Sequence, residues 1–263
     1  MAHYMNTSIT ISKRPLFLLF LFLCCLGTKV QAQHTSKAWY LVWSDEFNGH
    51  SVDTSVWHFE TGDNGWGNHE QEYYQSANAS VQHGNLVITA KKETSGPHPY
   101  TSARMKTQGT KAFEYGKIEA RIKLPVGLGF WPAFWMLGAN ISSAPWPACG
   151  EIDIMEHINT DSLIYGTMHW LNTTHVSNGG HVATSPSGWH TYSVEWDADS
   201  IKWIVDNIKY HAAAITSNST EEFHQPFFIL LNLAVGGDWP KQTINDSLLP
   251  AKMYVDWVRV YQK

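Results

Sequence analysis

The sequence predicts an all-β protein, and three observations support this. Several segments alternate apolar and polar residues with the period of two that a strand gives, most clearly residues 117–124. Clusters of Gly, Pro, Asn and Ser separate these segments. No long stretch keeps the helical period of about 3.6 residues. Many short strands joined by turns are typical of a sandwich or a barrel.

The N-terminal segment, residues 1–32, is predicted to be a signal peptide. Residues 13–14 give a positive flank, residues 16–26 form an apolar run, and residues 30–32 offer a cleavage site. Because that run is too short to span a bilayer as a helix, we expect a secreted or periplasmic protein with no membrane partner after cleavage. The two cysteines at 24–25 leave a lipoprotein anchor open, although the bulky residues before them disfavour it.

Residues 33–263 are predicted to form one domain, because no repeat, linker or change of composition divides them and they can bury a large core. All 23 Asp and Glu lie in this segment, but three of the 18 Lys and Arg do not, so its net charge is −8. An acidic chain without basic runs argues against nucleic acid as a partner, and we expect a monomer. Cys149 is its only cysteine, so no internal disulfide is expected, and a buried, inert thiol is the default.

The predicted strands follow from alternation and from runs of β-branched and aromatic residues. They cover residues 86–90, 117–124, 192–196, 201–205, 208–210, 227–235 and 254–261. Asp206 and Asn207 are predicted to form a hairpin turn. Residues 227–235 are almost continuously apolar and suit a central strand, and a short turn is expected around residues 217–223.

The aromatic content is high, with 13 Trp, 11 Tyr and 11 Phe. Aromatic rings suit sugars, because the C–H faces of a sugar ring are apolar while its hydroxyls need hydrogen bonds. Some of these residues, such as Trp39, Trp43 and Trp57, are equally compatible with a core.

Three carboxylates, Glu151, Asp153 and Glu156, lie in one short and otherwise apolar segment. On a strand, Glu151 and Asp153 share one face, whereas Glu156 is out of phase by one residue. A β-bulge near residues 154–155 would return Glu156 to the acidic face. Three acids on one face repel one another, and burial disfavours their ionisation, which is typical of a catalytic site.

Three other interpretations of this segment are less favoured. A solvated strand face is disfavoured by the aromatic flanks, and a hard-cation site is disfavoured because no Asp/Asn/Gly loop accompanies the acids. A helix would place Glu151 and Asp153 about 200° apart. The catalytic interpretation is favoured.

Several motifs, in order, resemble glycoside hydrolase family 16, of the bacterial laminarinase (endo-β-1,3-glucanase) type. The acidic segment resembles the family's bulged ExDxxE strand. The motifs are WSDEF at 43–47, YGKIEAR at 115–121, WPAFWMLG at 131–138, GEIDIMEH at 150–157, NLAVGG at 232–237 and VDWVRVYQ at 255–262. The resemblance covers roughly residues 39–262.

The resemblance implies a β-jelly-roll sandwich of two curved antiparallel sheets, with a substrate cleft on the concave face. It also implies retaining hydrolysis of β-glucan without a cofactor for catalysis. Glu151 would be the nucleophile, Asp153 its electrostatic helper and Glu156 the general acid/base. Retaining hydrolysis needs two carboxyls about 5–5.5 Å apart, a gap that two Glu side chains could close from these positions.

The resemblance also implies a set of substrate-binding residues. They are Asn68, Arg104, Trp131, Trp135, His169 and Trp239. Trp131 and Trp135 are four apart and share one face if their strand is regular. His169 is expected on the next strand, near Glu156. Core packing stays open for the tryptophans, as does a structural role for His169.

A structural calcium on the convex face is a further implication of the resemblance. Its ligands would be Glu46, Asp256 and backbone carbonyls near Gly84, and hard oxygen ligands suit calcium. A salt bridge from each acid to an Arg or Lys is the alternative.

The expected function is therefore that of a secreted endo-β-1,3-glucanase acting on laminarin-type β-glucan. A mixed-linkage β-1,3-1,4-glucanase is an alternative, although the residue Met155 departs from the unbulged ExDxE strand of dedicated lichenases. Agarases and carrageenases share the bulged strand. A non-catalytic glucan-binding protein is less favoured, because such relatives typically lack the three acids.

Overall fold

Strands make up most of the regular structure in the part of the chain that the computed structural model describes, residues 1–3, 5 and 38–263. From residue 38 onwards these residues belong to one compact unit, Lys37–Lys263. The predicted signal peptide lies almost wholly outside the described residues. Within them, no helix is long and apolar enough to cross a membrane.

Seventeen strands run along the described chain. In order they are β1 (Tyr40–Asp45), β2 (His58–Glu60), β3 (Glu72–Tyr74), β4 (Ala79–Gln82), β5 (Asn85–Ala90), β6 (Tyr100–Ser102), β7 (Arg104–Lys106), β8 (Gly116–Lys123), β9 (Phe130–Gly138), β10 (Glu151–Glu156), β11 (Leu163–Asn172), β12 (Thr174–Ala183), β13 (Trp189–Trp196), β14 (Ser200–Val205), β15 (Ile208–Ala214), β16 (Phe227–Val235) and β17 (Ala251–Gln262). Short 3-10 helices occur at Gly65–Gly67, Ser76–Asn78, Glu221–Phe223 and Asp246–Leu248.

The strands build two large antiparallel sheets. The first, called the outer sheet here, has the order β15-β14-β13-β8-β17-β5-β4, and β1 pairs with β17. The second, called the cleft sheet, has the order β12-β11-β10-β9-β16-β7-β2. A small parallel pair, β3 with β6, forms a third sheet. The predicted all-β sandwich is confirmed.

The core lies between the two large sheets, and the alternation seen in the sequence shows which side chains enter it. Strand β8 buries Ile118, Ala120 and Ile122 in the core. Its charged residues lie on the opposite face, where the Lys and Arg side chains are partly buried and Glu119 is 9% exposed. On the cleft sheet, β16 is buried over its whole length, as predicted for residues 227–235. Side chains of both sheets form one apolar cluster, and burial of this area is the main term that stabilises the sandwich.

The predicted turns are also present. Asp206 and Asn207 connect β14 to β15 with φ values of 48° and 70°, the left-handed geometry that Asp and Asn tolerate and that matches the twist of a hairpin. The turn expected around residues 217–223 contains the 3-10 helix Glu221–Phe223. Cys149 is a free, fully buried thiol, as predicted.

Candidate active site

Strand β10 carries the predicted bulge. Against β9, Asp153 lies opposite Trp135 and Met155 lies opposite Phe134, so Ile154 is the extra residue. The ladder with β11 shifts over the same interval. Because of this shift, the consecutive side chains of Ile154 and Met155 both enter the core and are at most 1% exposed. Glu156 thereby returns to the face of the other two acids.

The bulge is held from the opposite sheet. Trp203, on β14 of the outer sheet, donates a hydrogen bond from its indole N–H to the main-chain oxygen of Asp153 at 2.7 Å. Gly166 on β11 makes this approach possible, since a Cβ at that position would lie 2.2 Å from the Trp203 ring. A buried carbonyl needs such a partner. The outer sheet therefore helps to fix the acidic strand.

A cleft of about 350 Å³ opens over the cleft sheet. Glu151, Asp153 and Glu156 line it together, so the three acids predicted as one group do share one cavity. Four of the predicted binding residues line the same cleft. They are Asn68, Arg104, Trp131 and Trp135.

Burial and mutual repulsion act on all three acids. Burial, and then the charge of Asp153, raises the pKa of Glu151 to about 8. The pKa of Glu156 rises to about 7, chiefly through burial, although a hydrogen bond from Trp131 acts in the opposite direction. Burial and the charge of Glu156 raise the pKa of Asp153 well above its usual range. The cluster therefore retains protons at neutral pH, as acid–base chemistry requires.

His169 lies on the strand after β10, as predicted, and near enough to Glu156 to lower the pKa of that acid, although its direct cross-strand neighbour is a different acid. It lies on β11 opposite Glu151, and its Nε2 is 3.1 Å from Oδ2 of Asp153, whereas Tyr165 takes the place opposite Glu156. The other ring nitrogen of His169 lies 2.9 Å from Nε2 of His175, and the two rings stack. The two imidazoles thus connect buried Asp153 to His175, which is exposed.

The group of Glu151, Asp153 and His169 also has the proximity of a cation site, since one ligand atom from each lies within 4.8 Å of the others. Two of these three groups, His169 and Asp153, already contact each other at 3.1 Å.

Trp131 lines one aromatic end of the cleft, and Trp239 packs against it without lining the cleft itself. The indole N–H of Trp131 donates to Oε1 of Glu156 at 3.0 Å. The two rings meet edge to face at 5.7 Å, and Trp239 packs in the same way on Tyr165 at 4.9 Å. Trp131 is thus tied both to an acid and to a neighbouring ring, which fixes its orientation.

Trp135 and Arg104 form the opposite side of the cleft. The guanidinium of Arg104 lies between two indoles, 4.9 Å from the centre of the Trp66 ring and 4.8 Å from that of Trp135. Arg104 also forms an ion pair with Glu60. The indole N–H of Trp135 donates to Oδ1 of Asn232 at 2.8 Å. This side is therefore held by stacking and by buried polar contacts together.

Several cleft residues were not predicted from the sequence. Asn232, Glu70 and Trp146 line the cleft, and His175 stacks on Trp146 at 4.8 Å. Asn232 could have been suspected, because it is the only polar residue inside the apolar run of β16. Nothing local marks His175, whose partners lie on other strands or loops.

The two acids of the predicted calcium site have arginine partners. Glu46 accepts from Nε and Nη2 of Arg259 at 2.9 and 2.8 Å, and Asp256 accepts from Arg121 at 2.6 Å. Gly84, with φ of 73°, lies beside the Asn48 side chain. As placed, the carboxylates fit ion pairs better than a calcium ion, because a cation would have to displace the guanidinium groups. Calcium binding stays a prediction.

Comparison with known proteins gives a consistent result. The family model of glycosyl hydrolases family 16 matches residues 66–259. A beta-glucanase of Rhodothermus marinus is 38% identical over 270 residues, covering 95% of this chain and 94% of that protein. The clotting factor G alpha subunit of Tachypleus tridentatus is 44% identical over 257 residues, covering 93% of this chain but 38% of that longer protein.

Solved structures agree in fold as well as in sequence. The laminarinase catalytic domain from Thermotoga maritima matches with a TM-score of 0.78 and 42% identity, covering 86% of this chain and 99% of that one. The laminarinase from Rhodothermus marinus matches with a TM-score of 0.80. The predicted jelly-roll sandwich and the predicted family are thus confirmed, and the chain belongs to the glycosyl hydrolases of family 16.

Proposed function

We propose that this protein is a retaining endo-β-1,3-glucanase that hydrolyses laminarin-type β-glucan by double displacement. The observation that carries the proposal is the bulge of β10, which places Glu151, Asp153 and Glu156 side by side in one cleft. The relatives named as laminarinases, and the β-glucanase that this chain matches over almost its whole length, support the choice of substrate.

In the first step, the Glu151 carboxylate attacks the anomeric carbon, and Glu156 gives its proton to the oxygen of the leaving sugar. The glycosidic bond breaks, and a covalent ester joins the remaining sugar to Glu151. In the second step, Glu156 removes a proton from water, and the water oxygen attacks the anomeric carbon. The ester bond breaks, and both carboxyls return to their starting state with the configuration of the sugar retained.

The assignment of the two glutamates rests on the family resemblance and not on the order of their pKa values. With the pKa of Glu151 at about 8 and that of Glu156 at about 7, the free protein binds the proton more tightly on Glu151. The groups are coupled, so the proton belongs to the cluster. A substrate with positive charge developing at its anomeric carbon favours ionisation of Glu151, which is the form that attacks.

Asp153 is proposed as the electrostatic helper. Burial and the charge of Glu156 raise the pKa of Asp153, whereas a hydrogen bond with Glu151 lowers it. Nε2 of His169 lies 3.1 Å from Oδ2 of Asp153. An acid at this position can take up the proton that the pair of glutamates exchanges, and it stabilises charge near the anomeric carbon. The aromatic walls built on Trp131 and Trp135 supply the apolar surface on which sugar rings stack.

The decisive experiment compares the wild type with Glu151→Gln on laminarin, lichenan, agarose and carrageenan. We expect the wild type to release oligosaccharides chiefly from laminarin, and the variant to fold with unchanged circular dichroism but to lose several orders of magnitude in rate. Digestion of laminarin by the variant at the wild-type rate would refute the role of Glu151. Faster release from lichenan, agarose or carrageenan would instead assign one of the related specificities, and binding without any hydrolysis by the wild type would indicate a glucan-binding protein.

Export and a monomeric state are part of the proposal. The apolar run at residues 16–26 behind a positive flank supports secretion, to the periplasm or beyond. N-terminal sequencing of the exported protein tests this, and the expected first residue is Gln33. A chain that keeps residues 1–32 after export would contradict the cleavage site.

A further inference from the structure

Glu72 on β3 is a fully buried acid that the proposed reaction does not use. None of its surface is exposed. Its Oε2 accepts the main-chain N–H of Val235 at 2.6 Å, whereas its Oε1 has no hydrogen-bond partner among the polar groups of the described residues. A buried carboxyl oxygen without a donor is costly unless it carries a proton of its own.

Glu70 is 5% exposed, and it lies close enough to Glu72 for its charge and a side-chain hydrogen bond to act on the pKa of that acid. Both oxygens of Glu70 are occupied: Oε1 accepts from Nδ2 of Asn68 at 3.1 Å, and Oε2 accepts from the hydroxyl of Tyr74 at 2.8 Å. Glu70 is the acceptor in both hydrogen bonds, which suits an ionised carboxylate because it has no proton to donate. Glu70 therefore has the environment of the charged partner, and Glu72 that of the neutral one.

The contacts of Glu70 lead directly into the cleft. The Tyr74 hydroxyl accepts from Nδ2 of Asn232 at 3.2 Å, and Oδ1 of Asn232 accepts from the Trp135 indole at 2.8 Å. Asn68 lines the cleft itself. One carboxylate thus fixes two cleft residues from opposite sides, Asn68 directly and Trp135 through Tyr74 and Asn232.

The contacts of Glu72 lead to the other wall. Val235 ends β16, and its N–H is held by Glu72 while its carbonyl accepts from the N–H of Gln71 at 2.9 Å. The loop that begins at Gly236 carries Trp239, and the N–H of Asp238 bonds to the main-chain oxygen of Asn68 at 2.8 Å. Glu72 therefore anchors the base of the loop that holds the aromatic end of the cleft.

We propose that Glu70 and Glu72 share one proton, and that this buried carboxyl–carboxylate pair positions Asn68, Trp135 and the Trp239 loop for the sugar chain. Oε1 of Glu72 carries the proton and donates it to Glu70. Both glutamates are positioning residues, since they act on the sugar only through the cleft side chains. The proposal deepens the proposed function and rests on it for its kinetic test.

The charged and titratable groups around the pair are consistent with one shared proton. Arg104 on β7 is a cation close to Tyr74, the residue on which both glutamates also act, but its guanidinium is already paired with Glu60. On β6, Tyr100 lies opposite Glu72 in the ladder and sends its hydroxyl to Asp246 instead. Burial, followed by the charge of Glu70, raises the pKa of Glu72 well above its usual range.

The test uses Glu72→Gln and Glu72→Ala, with Glu119→Gln on the outer sheet as a matched control. In Glu72→Gln, the new amide can accept from Val235 with its oxygen and donate to Glu70 with its nitrogen, so KM for laminarin should stay within about twofold of the wild type. Glu72→Ala leaves the N–H of Val235 without an acceptor, so KM should rise about tenfold with little change in kcat. The control should leave both parameters unchanged.

The pH dependence separates a shared proton from a merely structural contact. When the pH is raised towards the alkaline limit of the folded state, the wild type should lose the shared proton, and its KM should rise, whereas the KM of Glu72→Gln should not follow because an amide has no proton to lose. A rise in KM for Glu72→Gln as large as that for Glu72→Ala would overturn the proposal. Identical KM profiles for wild type and Glu72→Gln would do the same.

A second readout does not depend on substrate, so it also serves if laminarin is not cleaved and the proposed function fails. The group with a raised pKa stabilises the fold at low pH and loses this contribution as the pH rises. The difference in Tm between Glu72→Gln and the wild type should therefore increase steadily with pH. A difference that is constant across the pH range would overturn the shared proton even if laminarin is a substrate.

Discussion

The acids of β10, on the cleft sheet, and the arginine-paired acids of the outer sheet share their chemistry but not their environment. On the outer sheet and the turn after its first strand, Glu46 pairs with Arg259, and Asp256 pairs with Arg121. On β10 the only ion-pair contact within the described residues is that of Asp153 with His169. The pKa of Glu46 is accordingly lowered by its hydrogen bonds and charge contact with Arg259, whereas burial and repulsion raise the pKa of all three cleft acids.

The difference shows how one fold obtains inert and reactive carboxyls. A guanidinium beside a partly exposed acid keeps it ionised throughout the neutral range, so it takes no part in proton transfer. Buried carboxyls that lie close together and have no Lys or Arg partner ionise at a high free-energy cost, so they keep protons near pH 7. The reactivity of the three β10 acids therefore depends on two conditions, their closeness to one another and the lack of a Lys or Arg partner for any of them within the described residues.

Removal of the proposed acid/base should have the largest effect. We expect Glu156→Gln to lower kcat on laminarin by about 10²–10⁴-fold, because an amide can neither protonate the leaving oxygen nor activate water. The matched change on the outer sheet, Glu119→Gln, removes an acid that pairs with Lys117 and should leave kcat within about twofold. Initial rates of reducing-sugar release measure both, and equal losses in the two variants would remove the distinction between the sheets.

The sequence was sufficient to predict the features that depend on local pattern. Alternation places Ile118 and Ile122 in the core, and the out-of-phase position of Glu156 was enough to locate the bulge. Both follow from the period of the strand and from the repulsion between like charges, and a short segment of sequence is enough to show them.

Features that depend on long-range register could not be predicted in this way. His169 lies near Glu156, as expected, but its direct cross-strand neighbour is Glu151, because the pairing of β10 with β11 is set by the loop between them. The hydrogen bond from Asn232 to Tyr74 joins residues 158 positions apart. No local signal connects such residues, so the positioning network behind the cleft was visible only in the folded chain.

The contributions of the β10 glutamates and of Glu46 to stability should respond to pH in opposite directions. The pKa is raised to about 8 for Glu151 and to about 7 for Glu156. Above pH 4.5, the folded state therefore keeps protons on these acids that the unfolded state releases. The two acids should destabilise the fold increasingly as the pH rises from 4.5 towards 8. Glu46, with a lowered pKa, stabilises the fold above its ordinary range and loses this contribution as pH falls.

Thermal unfolding across this pH range tests the two signs. The double change Glu151→Gln with Glu156→Gln should raise Tm near pH 8 by about 2–4 °C, which is the shift that about 1 kcal/mol gives in a domain of this size, and should have less effect near pH 4.5. Arg259→Met should lower Tm slightly near pH 8 and less in acid. A loss of Tm near pH 8 in the double variant would contradict the destabilising role of the cleft acids.

The smallest effect should come from a single hydrogen bond. The N–H of Trp131 donates to Glu156 and lowers the pKa of that acid against the effect of burial. Trp131→Phe keeps an aromatic face for the sugar but removes the donor, so the alkaline limb of kcat/KM, which reports the acid cluster of the free protein, should move to higher pH by less than about one unit. Trp189→Phe on the outer sheet, where Arg121 covers the ring at 4.7 Å, is the matched control and should leave the limb in place. A shift of the limb to lower pH in Trp131→Phe would mean that the indole does not stabilise the charged form of Glu156.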